Sequence, residues 1–203
     1  MKIIEAVLND LKAGHLVLVT DDHNREDEAD LLLAAQFITV EKINFFLNHA
    51  RGLITNPISS EISKKLNLPL MVPSNEGTMN TAFTVSLDAI NGTHSGISSI
   101  DRATTIKKLS DSQSAAHDFS RPGHVFPLIA HDQGVLARPG HTEAAIDLMK
   151  LAGLNQVAVL CETLNIKGNP LRGQELLDFA KTFKILIVSI NEIKDFIQAN
   201  TKT

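Results

Sequence analysis

Two copies of one tetrapeptide, Arg121-Pro122-Gly123-His124 and Arg138-Pro139-Gly140-His141, carry residue types suited to chemistry on an anion. Proline and glycine are expected to bend each segment tightly. Arginine supplies a permanently charged fork of donors, and histidine moves protons or holds metal near neutral pH. The copies diverge at once beyond these four residues. The first continues as Val125-Phe126-Pro127-Leu128, which reads as a strand, and the second as Thr142-Glu143-Ala144-Ala145, which reads as the start of an amphipathic helix. A structural repeat would persist over a whole supersecondary unit, so the tetrapeptides mark a site.

A second cluster lies upstream. Residues Asp21 to Asp30 place six carboxylates and one arginine, Arg25, between two apolar runs. Oxygen-rich groups of this kind suit a hard divalent cation such as Mg2+, which keeps much of its water and takes one or two protein carboxylates. An acidic run by itself is more often a solvated turn, so both readings stand at this point. His141 beside such a loop is a candidate nitrogen ligand. Arg138 to Thr142 precedes a helix, whose first-turn amides and Thr142 hydroxyl could hold a phosphate; equally, Thr142 could be a simple cap. Glu162 follows an apolar strand and would present its carboxylate at a sheet rim, where α/β folds bind ligands. Cys161 has no basic neighbour to activate it and reads as a small core residue.

Composition narrows the classes. The chain has 203 residues, 43% hydrophobic and 21% charged, which fits one globular domain over 1–203. Lys and Arg total 19 against 23 Asp and Glu, a formal charge of -4, and aromatics are 4%, all Phe. Nucleic-acid binding is therefore not expected, since it needs a basic surface and usually stacking platforms. An anionic substrate must instead meet local positive charge, for which Arg25, Arg121 and Arg138 are candidates. No apolar run approaches the roughly 18 residues of a membrane span, and an acid at Glu5 does not suit a signal peptide. One cysteine excludes an internal disulfide. These features predict a cytoplasmic protein without a membrane partner.

Apolar periodicity predicts alternating helices and strands. Ile3, Ile4, Val7, Leu8 and Leu11 form one helical face that ends near Gly14, and Leu16 to Val19 and Leu31 to Ala35 read as buried strands flanking the acidic loop. Thr39 is expected to cap a helix through Ala50, Gly52 to start a strand, and Ser59 or Ser60 to open a helix to Asn67. Phe83 to Asp88 alternates with the period of a half-buried strand, and Ser98 with Asp101 has the spacing of a capping box. Ser110 to Ser120 lacks a period and reads as a mobile loop of the kind that closes over sites. A strand near Val125, a helix from Glu143 to Leu151 and a strand at Val157 to Leu160 follow. A helix from Gln174 to Thr182, a strand at Ile185 to Val188 and a closing helix from Glu192 complete the chain. The fold class is α/β: a three-layer domain, a mixed sheet with helices on both faces.

In this order the segments resemble the 3,4-dihydroxy-2-butanone 4-phosphate synthase family of riboflavin biosynthesis. Asp21 to Asp30 is similar to that family's Asp-Asp-x-x-Arg-Glu-Asn-Glu-Gly-Asp, Phe83 to Ser86 to its Phe-Thr-Val-Ser, and Gly96 to Arg102 to its Gly-Ile-Ser-x-x-Asp-Arg. Arg121 to Leu128, Gly134 to Ala144 and Val159 to Glu162 match as well. The resemblance implies a lyase converting D-ribulose 5-phosphate to L-3,4-dihydroxy-2-butanone 4-phosphate and formate. It implies Mg2+, with Mn2+ as the alternative ion, held by Glu26 and His141. Arg25, Glu26, Asp30, Arg138, Gly140, His141, Thr142 and Glu162 would surround the sugar phosphate, and His124 and Glu162 would be catalytic. It further implies a homodimer with sites near the subunit interface, and no redox cofactor. The second enzyme some relatives carry, a GTP cyclohydrolase with a three-cysteine zinc site, is not expected in this chain.

Four positions depart from the family pattern. Asp27 replaces Asn and Ala29 replaces Gly in the acidic loop, Thr55 stands where Cys is common, and His94 lies in a turn usually richer in Thr. If the replaced glycine has positive φ, Ala29 should strain the turn or alter its path. Two other functions compete with the synthase reading: a diverged enzyme acting on another sugar phosphate, and a silent protein that binds a phosphorylated metabolite.

Overall fold

The computed structural model describes residues 2–201. Its centre is a strand pair, one strand following the acidic loop and the other ending at Glu162. Strand β2 (Ala29–Ala34) runs antiparallel to β6 (Ala158–Glu162), with Asp30 opposite Glu162 and Leu32 opposite Leu160. Around this pair, β1 (Val17–Thr20), β3 (Thr55–Ile58), β4 (Leu87–Ala89), β5 (Phe119–Ile129) and β7 (Leu186–Ser189) complete one seven-stranded mixed sheet in the order β4-β5-β3-β6-β2-β1-β7.

Side chains alternate across a strand, and here the alternation divides two cores. Leu31, Leu33, Val159 and Cys161 enter one apolar cluster, whereas Leu32, Ala34, Ala158 and Leu160 enter the other. The first is covered by α2 (Val40–Phe45) with its π-helical extension Phe46–Ala50, and by α3 (Ser60–Lys65), α4 (Ser99–Leu109) and α6 (Gly173–Phe183). The second is covered by α1 (Lys2–Lys12), α5 (His141–Ala152) and α7 (Ile190–Thr201). Central strands buried on both faces need apolar residues at nearly every position, which explains the unbroken runs. Among the described residues, no helix is long and apolar enough to cross a membrane.

Several local expectations change in the folded chain. Helix α5 is not amphipathic: all its residues except Lys150 and Leu151 are buried, because the sheet lies below it while α1 and α7 pack beside it. The Phe83–Asp88 strand shrinks to Leu87–Ala89, with Phe83 and Thr84 held only by isolated bridges to Leu128 and Leu70. Ser98 caps α4 by accepting the Asp101 amide at 3.0 Å, but the Asp101 carboxylate accepts from Gly96 at 3.0 Å instead of closing the box. The 110–120 segment is tied down by Ser114 donating to Lys108 O at 2.6 Å and Ala115 to Asp118 at 2.9 Å; Phe119 and Ser120 already belong to β5.

The first Arg-Pro-Gly-His is not a turn either, but lies inside β5, with a cis Arg121-Pro122 bond. Gly123 is needed for close approach, since a Cβ there would run into the Leu87–Asp88 backbone of β4. Arg121 does not face an anion; it donates to the carbonyls of Leu66 (2.7 Å), Phe119 (3.1 Å) and Ala116 (3.2 Å). Its charge binds α3 to β5 and the preceding loop. Arg121→Ala should accordingly lower stability by about 1–3 kcal/mol, as measured by urea denaturation, because three carbonyls lose a charged donor.

Candidate active site

At the end of the sheet where β2 begins and β6 stops, a cleft of about 120 Å3 opens on the α5 face. Its walls include Arg25, Glu26, Glu28, Asp30, Arg138, His141, Thr142 and Glu162, with Thr55, Thr81, Phe83, Leu128 and Leu160 around them. Strand alternation is the reason these groups converge. Asp30, Leu32 and Ala34 share one face of β2, and Ala158, Leu160 and Glu162 share the facing positions of β6. The apolar members meet α5, and Asp30 at the end approaches its first residue, His141.

The loop between β1 and β2 folds around Asp21. This carboxylate accepts the amides of Glu26 and Glu28, each at 2.9 Å, and the Arg25 guanidinium at 2.9 Å. Arg25 also donates to Glu26 at 2.6 Å. Glu26 then lies 3.3 Å from His141 Nδ1, while Asp30 lies 3.9 Å from the same nitrogen. One ligand atom each from Asp21, Glu26 and His141 falls within 4.8 Å of the others, a spacing one divalent ion can bridge. Among the described residues, the buried atoms His141 Nε2 and Asp30 Oδ1 have no hydrogen-bond partner.

Ala29 does not strain this loop. It is a paired residue of β2 opposite Thr20, and the left-handed residue is Asp27, with φ 54°. Aspartate tolerates that conformation better than most side chains. Asp27 also meets His23 and Arg172, each at 2.9 Å. Thr55 is buried in the cleft wall and donates to Leu160 O at 3.3 Å; His94 is exposed and outside the cleft.

The second Arg-Pro-Gly-His does lead into a helix, as expected, but Gly140 is the N-cap and Thr142 lies within the first turn. Among the described residues, no side chain caps this terminus. Arg138 pairs with buried Glu143 and donates to Met79 O at 2.8 Å and Thr81 at 3.2 Å, so it joins the 77–81 loop to α5. A Cβ at Gly140 would collide with the Arg138–Glu143 pair. Glu162 accepts the Leu53 amide at 2.8 Å, which fixes its carboxylate at the rim.

Gly140, between Arg138 and His141, does not itself line the cleft, and His124 lies outside it on β5. It lies two residues along β5 from Phe126, a partner of Thr55, just as Glu162 lies two residues along β6 from Leu160, the other partner. His124 and Glu162 therefore both lie toward one end of the sheet, with β3 between their strands.

Burial and crowding set the protonation states. Burial works against the charged form of His141, yet Asp30, Glu26 and Asp21 prevail and raise its pKa to about 9. Asp30 is pushed up to about 7, chiefly by burial and further by Glu162, Glu28 and Glu26. Burial also raises Glu28, helped by Glu26 and Glu162, whereas the hydrogen bond to His141 lowers Glu26. The Cys161 thiol is pushed up by burial, in keeping with a core role.

Asp21 and Glu28, read from the sequence only as members of the acidic run, and Thr55, noted only as a departure from the family pattern, belong to the site. Glu28 was within reach of a period-two argument, since Glu26, Glu28 and Asp30 alternate. Asp21 and Thr55 act through contacts with distant amides and strands that no spacing reveals.

With this geometry in hand, the chain can be set beside known proteins. The family model for 3,4-dihydroxy-2-butanone 4-phosphate synthase matches residues 5–196, and the chain belongs to that family. It is 44% identical over 200 residues to the 3,4-dihydroxy-2-butanone 4-phosphate synthase of Hamiltonella defensa, covering 98% of this chain and 92% of that protein. It is 48% identical over 190 residues to the riboflavin biosynthesis protein RibBA of Bacillus mycoides, covering 94% of this chain but 48% of that protein. The chain thus spans about half the length of its RibBA relatives. A crystal structure of 3,4-dihydroxy-2-butanone 4-phosphate synthase in complex with two magnesium ions superimposes with a TM-score of 0.92 at 39% identity, covering 97% and 96% of the two chains. The Candida albicans synthase superimposes with a TM-score of 0.88 at 38% identity, covering 96% of each chain.

The crowded acids generate a test. His141, raised above its unfolded value of 6.5, stabilises the metal-free fold below pH 6.5, and that contribution is lost as pH rises through about 9. Asp30, also raised, adds a loss of stability between its unfolded 3.8 and about 7. Both act in the same direction. Metal-free protein should melt at progressively lower temperature as pH rises toward 9, and His141→Gln should flatten the upper part of that slope. Added Mg2+ should raise the melting temperature more at alkaline than at acid pH, because the ligand nitrogen must first lose its proton. Differential scanning fluorimetry across pH measures all three effects.

Proposed function

We propose that this chain, read as one synthase domain over 1–203, is a Mg2+-dependent carbon-carbon lyase. It would convert D-ribulose 5-phosphate to L-3,4-dihydroxy-2-butanone 4-phosphate and formate in riboflavin biosynthesis. The observation that carries this reading is the meeting of Glu26, Asp21 and His141 beside the uncapped start of α5, opposite Glu162, in a chain of this family.

Glu26 and His141 would hold Mg2+ or Mn2+, with Asp21 close enough to share the load. The site's chemistry fits a cation: Asp21, Glu26, Glu28, Asp30 and Glu162 outweigh Arg25, Arg138 and His141. Bound there, the metal would supply positive charge toward the oxygens of the sugar as negative charge develops on them.

The phosphate would dock at the first-turn amides of His141 and Thr142, beside Gly140, with the Thr142 hydroxyl and Arg138 adding donors. Arg25 and Asp30 would orient the sugar hydroxyls. Enolisation, loss of water, skeletal shift and fragmentation all need protons moved at carbon and oxygen, and Glu162 and His124 would move them. The exposed apolar side chains of Leu47, Leu53, Ile97 and Ile100 support a self-association face and hence a homodimer. The single cysteine, Cys161, supports a reducing, cytoplasmic setting.

Purified protein should release formate from ribulose 5-phosphate with Mg2+ present and stop when EDTA is added. Binding without formate would sink this reading in favour of the diverged enzyme or the silent binder. His124→Ala and Glu162→Gln should each reduce kcat by about 100-fold or more while retaining substrate binding by calorimetry; an active variant would remove that residue from the mechanism.

A further inference from the structure

On the β4–β5 side of the sheet, outside the acidic cleft, His124 is held at two atoms by Asp88. Asp88 of β4 accepts the backbone amide of His124 with Oδ1 at 2.9 Å, and its Oδ2 faces the ring nitrogen Nδ1 at 2.7 Å. Asp88 is largely buried, whereas the His124 side chain is 42% exposed. A carboxylate only accepts hydrogen bonds, so the proton of a neutral His124 ring sits on Nδ1 and the lone pair on Nε2.

Gly96 closes this arrangement from the third side. Its φ is +88°, and a Cβ there would press on the Asp88 carboxylate and on His124 Nδ1. The buried Asp101 carboxylate pins the Gly96 amide at 3.0 Å. The loop before α4 therefore lies against the Asp88–His124 pair and permits no side chain there.

We propose that Asp88 is a positioning residue for His124: it fixes the ring's orientation and its Nδ1–H form, so that Nε2 is the atom that exchanges protons with the sugar. This rests on reading His124 as a proton-transfer group. Nε2 takes a proton from the substrate, the bonding pair stays on the substrate, and the same nitrogen returns the proton at a later step. The resulting imidazolium is stabilised by the Asp88 carboxylate across Nδ1–H. A ring in the other form would present an N–H to the substrate and could not begin the exchange.

Asp88→Asn separates positioning from folding. The asparagine oxygen can still accept the His124 amide, but its NH2 now faces Nδ1 and imposes the Nε2–H form. Long-range 1H–15N spectra of the neutral ring, recorded at alkaline pH, should show Nδ1–H in the parent and Nε2–H in the variant. Turnover should fall about 100-fold in kcat with little change in KM and in melting temperature, and Asp88→Glu should recover part of it. An unchanged ring form in Asp88→Asn, or a changed form with parental kcat, overturns the proposal. The two readings fail separately: an active His124→Ala enzyme removes His124 itself, whereas an inactive one beside a fully active Asp88→Asn removes only Asp88.

Discussion

Carboxylates gathered in a small, largely buried space repel one another, and this repulsion governs the site. Asp30 and Glu162 are forced into register by the central β2–β6 pair, and the loop folded on Asp21 brings Glu26 and Glu28 to the same place. Burial resists ionisation first and the neighbouring carboxylates add to it, which together raise Asp30 and Glu28. Arg25 and His141 relieve part of the repulsion from within the chain. What they leave is a site whose electrostatics favour a divalent cation, and that preference follows from strand register as much as from any one ligand.

The rest of the architecture keeps those charges where they are. Helix α5 must end at the sheet's edge with His141 facing the acids, and it is held there by burial around nearly its whole circumference. Arg138 and Glu143 lock the preceding turn to the 77–81 loop, and Gly140 is small because that ion pair occupies the space a side chain would fill. On the far strands the same economy recurs around His124, where Gly123 admits β4 and Gly96 admits the loop before α4. Glycines at these positions thus serve contact between backbones and charged side chains.

The two tetrapeptides illustrate how identical residues acquire different work. In the first, the strand context directs Arg121 inward to three carbonyls and leaves His124 facing outward beside Asp88. In the second, the helix start buries His141 and turns Arg138 toward Glu143. Sequence identity over four residues fixes donors and ring nitrogens, but the neighbours decide which are satisfied by protein and which remain for a ligand.

The element order, the mixed sheet between helical layers and most of the cleft residues were legible in the chain, because apolar periodicity and the family's ordered motifs are local signals. Glu26, Asp30, Arg138, His141 and Glu162 all reach one cleft, as their motifs implied. Local signals failed where a long-range partner overrode them. Phe83 to Asp88 alternates like a strand, yet only its end finds a continuous neighbour; Arg121 reads as an anion contact until Leu66 and the 116–119 backbone claim it; Ala29 reads as strained until β1 pairs with it. Residue types and spacing determined which chemistry the protein can attempt. Only the tertiary structure decided which groups meet, because register between distant strands sets Asp30 against Glu162, the irregular β4–β5 pairing lets the Asp88 side chain reach His124, and no stretch of sequence contains either pairing.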